Sequence, residues 1–372
     1  MERAAQGLAE MPLPGRLAQS TIQTMNPSSG DLRVVQAEPL NAESPLRVLA
    51  ESVTPLESFF VRSNFAVPQI DAASWNLSVE GLVRRPRTIG LQELMSLGET
   101  TIASVMECAG NGRRLMSPVP EGTPWELGAV SAGTFTGVPL RRLLEVCEVD
   151  PRGVEVVFRG ADSGAVDGGR VVHFERSLPV ARALDATTLL VWAMNGAPLR
   201  SEHGHPVRLF VPGNYGVASV KWLERITVVD APFIGHFQTD RYVYRRHPLH
   251  AEDESVTRMH VRSLISAPEA GDTVQGTILV RGMAWSGYGG VTAVAFSADG
   301  GATWQDARLL AASSSHAPTM WECEWTPPVP GDYELVARAT DSTGESQPLE
   351  PVWNELGYAN NVVHRVRVTA QG

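Results

Sequence analysis

The sequence predicts two domains, an α+β domain followed by an all-β sandwich of immunoglobulin-like type. The chain has 372 residues, and a single hydrophobic core rarely grows beyond about 250–300 residues. Glycine and proline are plentiful, at 34 and 26 residues, which favours short strands and turns over long helices. Strands and short helices mix before residue 250, whereas strand follows strand beyond it. We therefore expect an N-terminal extension over residues 1–45, a first domain over 46–250 and a sandwich over 255–372.

Short apolar segments closed by glycine or proline define the elements of the first domain. Residues 75–83 (WNLSVEGLV) alternate in the manner of a strand pair, and residues 91–97 (LQELMSL) predict a short helix. A second helix is predicted over residues 139–149 (PLRRLLEVCEV), where apolar side chains recur at helical spacing and Pro139 suits the first turn. Cys147 lies among leucines on that helix, which is typical of a core cysteine. Buried strands are predicted over residues 154–160, 205–213 and 220–230.

The second domain follows a charged, polar stretch, HAEDESV at residues 250–256, which suits a linker. Beyond it, segments such as TVQGTILVRGMAW and GDYELVARATD alternate as strands do, and the turn sequences SADGG, PVPGD and DSTGE separate them. Short alternating strands with regular turns are typical of an immunoglobulin-like sandwich. Cys323 alternates with Trp321 and Trp325, so we expect all three side chains on one face of a strand.

Charge and hydropathy argue against several classes of function. The chain carries 31 Lys and Arg against 41 Asp and Glu, a net charge of −10 with no long basic run, so nucleic acid is not an expected partner. No apolar run reaches the roughly 20 residues that span a bilayer, so a membrane is not expected either. The first twenty residues lack the apolar core of a secretory signal and a twin-arginine pair. The expected location is cytoplasmic as the chain is written, or periplasmic if a signal peptide has been removed.

The cysteines are too few and too far apart in the sequence to form a set of disulfide bonds or a metal site made of cysteines alone. Cys108, Cys147 and Cys323 are odd in number, far apart and free of any C-x-x-C pair. This pattern argues against disulfides, a cysteine-type zinc site and an iron–sulfur cluster. The sequence also lacks the C-x-x-C-H motif of covalent haem. Redox chemistry must therefore come from a different cofactor or from none.

Cys108 lies in the segment SVMECAGNGRR, residues 104–114. An apolar run precedes it, and small residues, an asparagine, Arg113 and Arg114 follow it. Residue chemistry alone leaves three alternatives open. Cys108 could be a buried small hydrophobe, a nucleophile whose thiol pKa the arginines lower, or a metal ligand, for which the thiolate is again required. The small neighbours leave bare backbone beside the sulfur, which suits close approach by a bulky ligand.

The motif MECAGNGRR, residues 106–114, resembles the cysteine motif of the sulfite oxidase family of molybdenum enzymes. Four further segments resemble that family in the same order along the chain, so that the similarity runs from about residue 45 to the C-terminus. The resemblance implies an α+β molybdopterin-binding domain of the sulfite oxidase fold, followed by an immunoglobulin-like dimerisation domain. The four segments are 59–68 (FFVRSNFAVP), 122–144 (GTPWELGAVSAGTFTGVPLRRLL), 194–223 (MNGAPLRSEHGHPVRLFVPGNYGVASVKWL) and 353–368 (WNELGYANNVVHRVRV).

In that family a cysteine thiolate binds molybdenum, which also carries two oxo groups and the dithiolene sulfurs of one molybdopterin. The resemblance therefore implies a molybdenum–molybdopterin cofactor, with Cys108 as the protein's bond to the metal. Considered without the resemblance, His203 and His205 could form an H-x-H metal pair, and Arg208 could belong to a salt bridge at a sheet edge. The cofactor-binding residues that the resemblance implies are Phe60, Val61, Arg62, Ser63, Asn64, Cys108, Asp162, His203, Arg208, Val220, Lys221 and Trp222.

The resemblance also implies a cationic substrate pocket, because sulfite and sulfate are small dianions. Cations from both domains are expected to converge on it, beside an aromatic wall and a tyrosine next to the metal oxo group. The catalytic residues implied in this way are Cys108, Tyr242, Trp125, and the three cations Arg62, Arg113 and Arg365.

Several positions compete with these residues or depart from the family pattern. Tyr244 is the competing choice for the tyrosine, and Arg114 is expected in a structural or surface salt bridge. The pair Ser63–Asn64 stands where the animal enzymes usually have Asn–His. Phe135 stands where a tryptophan is common.

The expected function is that of a haem-free sulfite oxidase or dehydrogenase. Nothing before the molybdenum domain resembles a cytochrome b5-like haem domain, so electrons are expected to pass to an external acceptor such as a cytochrome c-like protein or oxygen. A homodimer is expected through residues 255–372. The alternatives are reduction of nitrate or a sulfoxide by a relative of the same family and, from another class, a cofactor-free interaction protein built on the sandwich.

Overall fold

The structure is a computed structural model that describes residues 32–248 and 254–372. The predicted N-terminal extension lies outside the described residues up to residue 31, and so do residues 249–253 of the predicted linker. The domain boundaries therefore stay predictions. In the described ranges no helix is long and apolar enough to cross a membrane.

Strands dominate the first domain, and its helices are short. The helices are α1 (Leu91–Ser96), α2 (Leu140–Cys147) and α3 (Val180–Ala183). The strands are β1 (Arg33–Gln36), β2 (Asn41–Glu43), β3 (Val61–Arg62), β4 (Asn76–Gly81), β5 (Arg87–Gly90), β6 (Thr100–Glu107), β7 (Val130–Pro139), β8 (Glu155–Ala165), β9 (Val171–Pro179), β10 (Leu189–Met194), β11 (Ala197–Pro198), β12 (Arg208–Phe210), β13 (Leu223–Val229) and β14 (Val243–Tyr244).

Two five-stranded sheets carry the first domain. One has the strand order β5-β4-β13-β8-β9, and in it β4 and β13 run parallel while the other neighbours are antiparallel. The other has the order β11-β10-β7-β6, with β12 also paired to β10. In this second sheet β6 and β7 pair without a break from Thr100 opposite Gly137 to Glu107 opposite Val130. This regular pairing fixes the end of β6, which is where Cys108 follows.

Helix α2 shows how the apolar spacing places an element. Its four buried residues, Leu140, Leu143, Leu144 and Cys147, recur at helical spacing and form one face against the core. Cys147 is fully buried, as the sequence predicts. The strand predicted over 205–213 is only three residues long. Pro206 and Pro212 lack the amide hydrogen that a continued ladder would need.

The second domain is a sandwich of two sheets, in agreement with the predicted fold class. The orders are β16-β18-β22-β21 and β17-β24-β23-β19-β20. Trp321, Cys323 and Trp325 share the buried face of one strand, as their alternation predicts. The strands are β15 (Glu254–Ser255), which pairs with β14, β16 (Arg262–Ala267), β17 (Thr273–Gln275), β18 (Ile278–Trp285), β19 (Val291–Ser297), β20 (Gln305–Asp306), β21 (Arg308–Leu309), β22 (Thr319–Trp325), β23 (Gly331–Asp341) and β24 (His364–Gln371).

The two domains share one hydrophobic cluster. Val105 and Ala109 of the first domain belong to the same buried cluster as Leu264, Met283 and Trp285 of the second. The cluster therefore packs the second domain against the strand and loop that carry Cys108.

Candidate active site

Cys108 directly follows β6, and its thiol is buried where two cavities meet. Its backbone N–H donates to Ala129 O at 2.9 Å, and its carbonyl accepts from Asn111 N–H at 2.9 Å. Burial raises the pKa of the Cys108 thiol, although Arg62 and Arg113 act in the opposite direction. The expectation that the arginines favour the thiolate has the right sign, but desolvation outweighs them. A further positive partner is needed to hold the sulfur ionised.

The first cavity runs from Cys108 between loops of the first domain. Two aromatic residues, Phe60 and Trp222, and several polar residues line it. The resemblance also implies Val61 and Val220, but their side chains are buried and do not line this cavity. The lining residues implied by the resemblance are Phe60, Arg62, Ser63, Asn64, Cys108, Asp162, His203, Arg208, Lys221 and Trp222.

Three basic side chains face the first cavity from the segment 203–221. Arg208 is buried and donates to His203 O at 3.0 Å and to Ser219 O at 2.9 Å. Burial lowers the pKa of Arg208 to about 9. Burial and the nearby cations Lys221 and Arg208 hold the pKa of His203 well below its usual value. Among the described residues, Arg208 donates to backbone carbonyl groups and to the Met106 sulfur rather than to a carboxylate, so its charge is available to an anionic ligand.

A lysine and an aspartate, Lys221 and Asp162, both line this cavity. Lys221 Nζ donates to Ser63 Oγ at 3.1 Å and to Glu202 O at 2.7 Å, and it lies 4.1 Å from the centre of the Trp222 ring. Burial raises the pKa of Asp162 to about 6, against the effect of Lys221. Asp162 Oδ1 is buried without a hydrogen-bond partner. A buried acceptor left without a donor is costly, and a ligand N–H would satisfy it.

The second cavity opens on the other side of Cys108 and has a volume of about 310 Å³. Arg62, Arg113, Trp125 and Tyr242 all line it, as the resemblance implies. The second domain contributes Leu356 and Tyr358. The cavity thus joins the sulfur, two guanidinium groups and two phenol groups.

Arg62, Asn64 and Tyr242 all line this cavity and form one hydrogen-bonded group. Arg62 Nη2 donates to Asn64 Oδ1 at 2.5 Å and to the Tyr242 hydroxyl at 3.3 Å. The Tyr242 hydroxyl in turn donates to Asn64 Oδ1 at 3.4 Å. Tyr242 has a φ of +56°, in the left-handed region where a non-glycine residue is uncommon. Tyr244 does not line either cavity, and its hydroxyl lies 3.3 Å from His260 Nε2.

Arg113 reaches the second cavity and Arg114 does not. Arg113 is buried, donates to Thr123 O at 2.7 Å and to Leu356 O at 3.2 Å, and lies 5.1 Å from the centre of the Tyr358 ring. The Arg114 side chain is 60% exposed and lies 3.8 Å from Glu126 Oε1. Its surface position agrees with the role expected of it.

Arg365 is a correction to the sequence prediction. It lies on β24, where its Nη1 donates to Glu334 Oε2 at 2.9 Å and to Gly300 O at 3.0 Å, and it lines neither cavity. Neighbouring strands of the sandwich hold it there through an ion pair. The second domain reaches the cavity through Leu356 and Tyr358 instead.

Leu356 and Tyr358 were not predicted as site residues. They belong to the segment WNELGYANN, whose resemblance to the end of a dimerisation domain was the only signal in the sequence. The structure shows that Tyr358 stacks on Tyr242, with 4.9 Å between ring centres and 20° between planes. Burial and the neighbouring Tyr242 raise the pKa of Tyr358 to about 12. The raised pKa keeps the hydroxyl in its protonated form, which can donate a hydrogen bond.

The comparisons with known proteins agree with this arrangement. Residues 64–237 match the oxidoreductase molybdopterin binding domain, and residues 253–371 match the Mo-co oxidoreductase dimerisation domain. The mitochondrial sulfite oxidase of Homo sapiens is 34% identical over 382 residues, which cover 94% of this chain and 68% of that protein. The chain belongs to the sulfite oxidase family.

Two further relatives of this family member differ in their described activity. A nitrate reductase from Hordeum vulgare is 31% identical over 91% of this chain, which spans 42% of that protein. The crystal structure of the sulfane dehydrogenase SoxCD from Paracoccus pantotrophus superposes with a TM-score of 0.77 and 28% identity, covering 89% of this chain and 84% of that chain. The family and fold are thus shown, whereas the substrate is a separate question.

The first cavity fits the molybdopterin cofactor of the family. The buried cations Arg208 and Lys221 suit a phosphate, and the unpaired Asp162 Oδ1 suits the amino and ring N–H groups of a pterin. Cys108 lies at the end of the same cavity and offers one sulfur ligand. Within residues 32–248 and 254–372, no three His, Cys, Asp or Glu side chains come close enough together to hold a metal ion.

Proposed function

We propose that the chain is a haem-free sulfite oxidase or dehydrogenase, which oxidises sulfite to sulfate by two electrons and passes them to an external acceptor. The observation that carries the proposal is the convergence of the Cys108 sulfur, two guanidinium groups and the Tyr242 hydroxyl on one cavity. Similarity to a sulfite oxidase over 94% of the chain supports sulfite as the substrate. The acceptor is proposed to be a cytochrome c-like protein or oxygen.

The first domain holds the cofactor in this proposal. When bound, the molybdenum–molybdopterin cofactor supplies the oxygen-transfer and electron-transfer chemistry. Cys108 is the thiolate ligand, Arg208 and Lys221 neutralise the phosphate, and Asp162 accepts hydrogen bonds from the pterin. The raised pKa of Asp162, about 6, means that its carboxylate form gains from such donors.

The second cavity holds the substrate. Arg62 and Arg113 present N–H groups to the sulfite oxygens, and charge-assisted hydrogen bonds of this kind are stronger than neutral ones. The Tyr242 hydroxyl is fixed by Arg62 and Asn64, so it can orient a substrate oxygen and exchange a proton with it. The buried ring of Trp125 excludes water, which strengthens each of these electrostatic contacts.

Cys108→Ala tests the proposal. The wild-type protein should contain nearly one molybdenum and one molybdopterin per chain and should reduce a chemical electron acceptor when sulfite is added. The variant should lose this turnover while keeping its circular dichroism spectrum, because the change is small and local. Cys323→Ala is the matched control, since Cys323 lies in the core of the sandwich. Wild-type protein that holds zinc alone, or no metal, would contradict the proposal.

Nitrate reduction is the second candidate function, because a nitrate reductase is 31% identical over 91% of the chain. The same purified protein distinguishes the two candidates. Sulfite oxidation with a chemical acceptor supports the first, whereas nitrate reduction with a chemical donor and no response to sulfite would establish the second.

A further inference from the structure

A buried ion pair joins the second domain to the residue that precedes Cys108. Arg262, at the start of β16, places its Nη1 2.8 Å from Glu107 Oε1, at the end of β6. The two side chains are 2% and 1% exposed, and 155 residues separate them in the chain. Burying two charges costs desolvation energy that their attraction barely repays, so such a pair is weak evidence for stabilisation by itself.

Both carboxylate oxygens of Glu107 are occupied by donors from different parts of the chain. Oε1 also accepts from Asn111 Nδ2 at 3.0 Å, within the loop that contains Cys108. Oε2 accepts from Trp285 Nε1 of the second domain at 2.9 Å. Three donors therefore fix one carboxylate, and two of them come from the second domain.

Glu107 and Cys108 point in different directions. Successive side chains of an extended strand lie on opposite sides, and here Glu107 bonds to the second domain while Cys108 lines the cavities. One peptide unit therefore separates the side chain that is bound by the second domain from the sulfur.

The second domain also binds the backbone of the loop that follows Cys108. Ala359 N–H donates to Ala109 O at 2.7 Å, and Asn360 Nδ2 donates to Gly112 O at 2.7 Å. Arg262 Nη1 lies 3.3 Å from Asn111 O. The loop is thus held on both sides of Cys108 by groups of the second domain.

Apolar packing already joins the two domains, since Met283 and Leu264 share a buried cluster with Val105. The ion pair is not needed to hold the domains together, but it fixes the orientation of the Glu107 side chain. We propose that Arg262, acting through Glu107, is a positioning residue that sets the orientation of the Cys108 sulfur toward the metal. The inference rests on the proposed role of Cys108 as the metal ligand, and it makes the second domain part of the metal site.

The test uses the full chain purified with its cofactor, as wild type and as the variants Arg262→Met and Glu107→Gln. Three quantities are measured: molybdenum per chain, the electron paramagnetic resonance spectrum of the half-reduced metal, and kcat and KM for sulfite. We expect a shifted spectrum and a fall of about 10–100-fold in kcat or metal retention, the range typical of groups that orient a ligand. KM should stay close to wild type, because Arg62 and Arg113 are untouched.

Three further variants separate positioning from general stability. Met283→Ala weakens the apolar contact between the domains without removing a donor to Glu107, so it should lower the unfolding temperature and leave the spectrum unchanged. Arg262→Lys, which keeps the charge, should restore part of the wild-type spectrum. Trp285→Phe removes the other second-domain donor to Glu107. It replaces Arg262→Met in the comparison if that variant does not fold.

An unchanged spectrum in Arg262→Met and Glu107→Gln would overturn the inference, and so would an equal spectral shift in Met283→Ala. Wild-type protein without molybdenum would instead overturn the proposed function, and the inference with it. The two failures are therefore distinguishable.

Discussion

At the scale of the residue, burial sets the direction of the pKa shift for three ionisable groups at the site, Cys108, Arg208 and Lys221. It raises the pKa of the Cys108 thiol despite two arginines, lowers the pKa of Arg208 to about 9, and holds the pKa of Lys221 well below its usual value. Each of these groups would be charged more readily beside a partner of opposite sign. The site therefore gains most from a ligand that brings both a metal cation and an anionic group.

Arg113→Gln should lower kcat/KM for sulfite about ten- to a hundredfold. Losing a hydrogen bond to a charged group costs roughly 1.5–3 kcal/mol, and about 1.4 kcal/mol corresponds to tenfold. Steady-state kinetics with a chemical acceptor measure the effect. Arg114→Gln and Arg365→Gln are the matched controls and should do little, since neither side chain lines a cavity. A larger loss in either control would contradict the placement described above.

The raised pKa of Asp162 predicts that the stability of the cofactor-free chain depends on pH. Its pKa is raised from 3.8 to about 6, chiefly by burial. Between those values the unfolded chain releases this proton and the folded chain keeps it, so the free energy of unfolding should fall as pH rises from about 4 to 6. At 1.36 kcal/mol per pKa unit, the loss is at most about 3 kcal/mol.

Urea denaturation at several pH values measures this contribution. Asp162→Asn should flatten the dependence between pH 4 and 6 and should be the more stable protein at pH 7. An unchanged slope in the variant would show that other groups cause the pH dependence.

At the scale of the element, the loop from Ala109 to Gly112 is shaped by contacts that only glycine permits. Gly112 has a φ of +83°, and a Cβ built on it would lie 2.9 Å from Arg262 Nη2. The loop needs both the left-handed backbone and the missing side chain. The side chain must be missing because Arg262 of the second domain occupies the space that a Cβ would need.

Gly112→Ala should destabilise the protein more than Gly168→Ala. Both positions have positive φ, which costs an alanine roughly 1–2 kcal/mol, but nothing lies within 4 Å of a Cβ at Gly168. The added crowding at Gly112 should cost about 1–3 kcal/mol more. Chemical denaturation of the two variants measures the difference. Equal losses would mean that Arg262 moves aside without cost.

At the scale of the whole molecule, the second domain lines a cavity beside Cys108 and also matches a dimerisation domain family. Leu356 and Tyr358 line the second cavity, and Arg262 contacts the Cys108 loop. Residues 253–371 match the dimerisation domain family. One domain therefore connects the proposed subunit contact with the cavity beside Cys108.

The protein should be a homodimer in solution through residues 255–372. The match to the dimerisation domain covers residues 253–371, about the last third of the chain, which is the physical basis for an extended contact. Sedimentation velocity at micromolar concentration measures the mass, and the Cys108→Ala variant should give the same result because that residue lies in the other domain. A single monomeric species would contradict this prediction.

The sequence by itself determined the features that depend on neighbouring residues. Helix α2 follows from its apolar spacing, and the buried face of β22 follows from the alternation of Trp321, Cys323 and Trp325. The family follows from the motif around Cys108 together with four further segments in the same order along the chain. These patterns are local, because periodicity and turn residues act over a few positions.

Only the tertiary structure decided which distant groups meet. It brought Tyr358 to Tyr242 and Arg262 to Glu107, and it held Arg365 in an ion pair with Glu334 away from the cavity. It also decided that burial outweighs the arginines at the Cys108 thiol. The physical reason is that desolvation and side-chain contact depend on the packing of segments up to 248 residues apart, which no local pattern records.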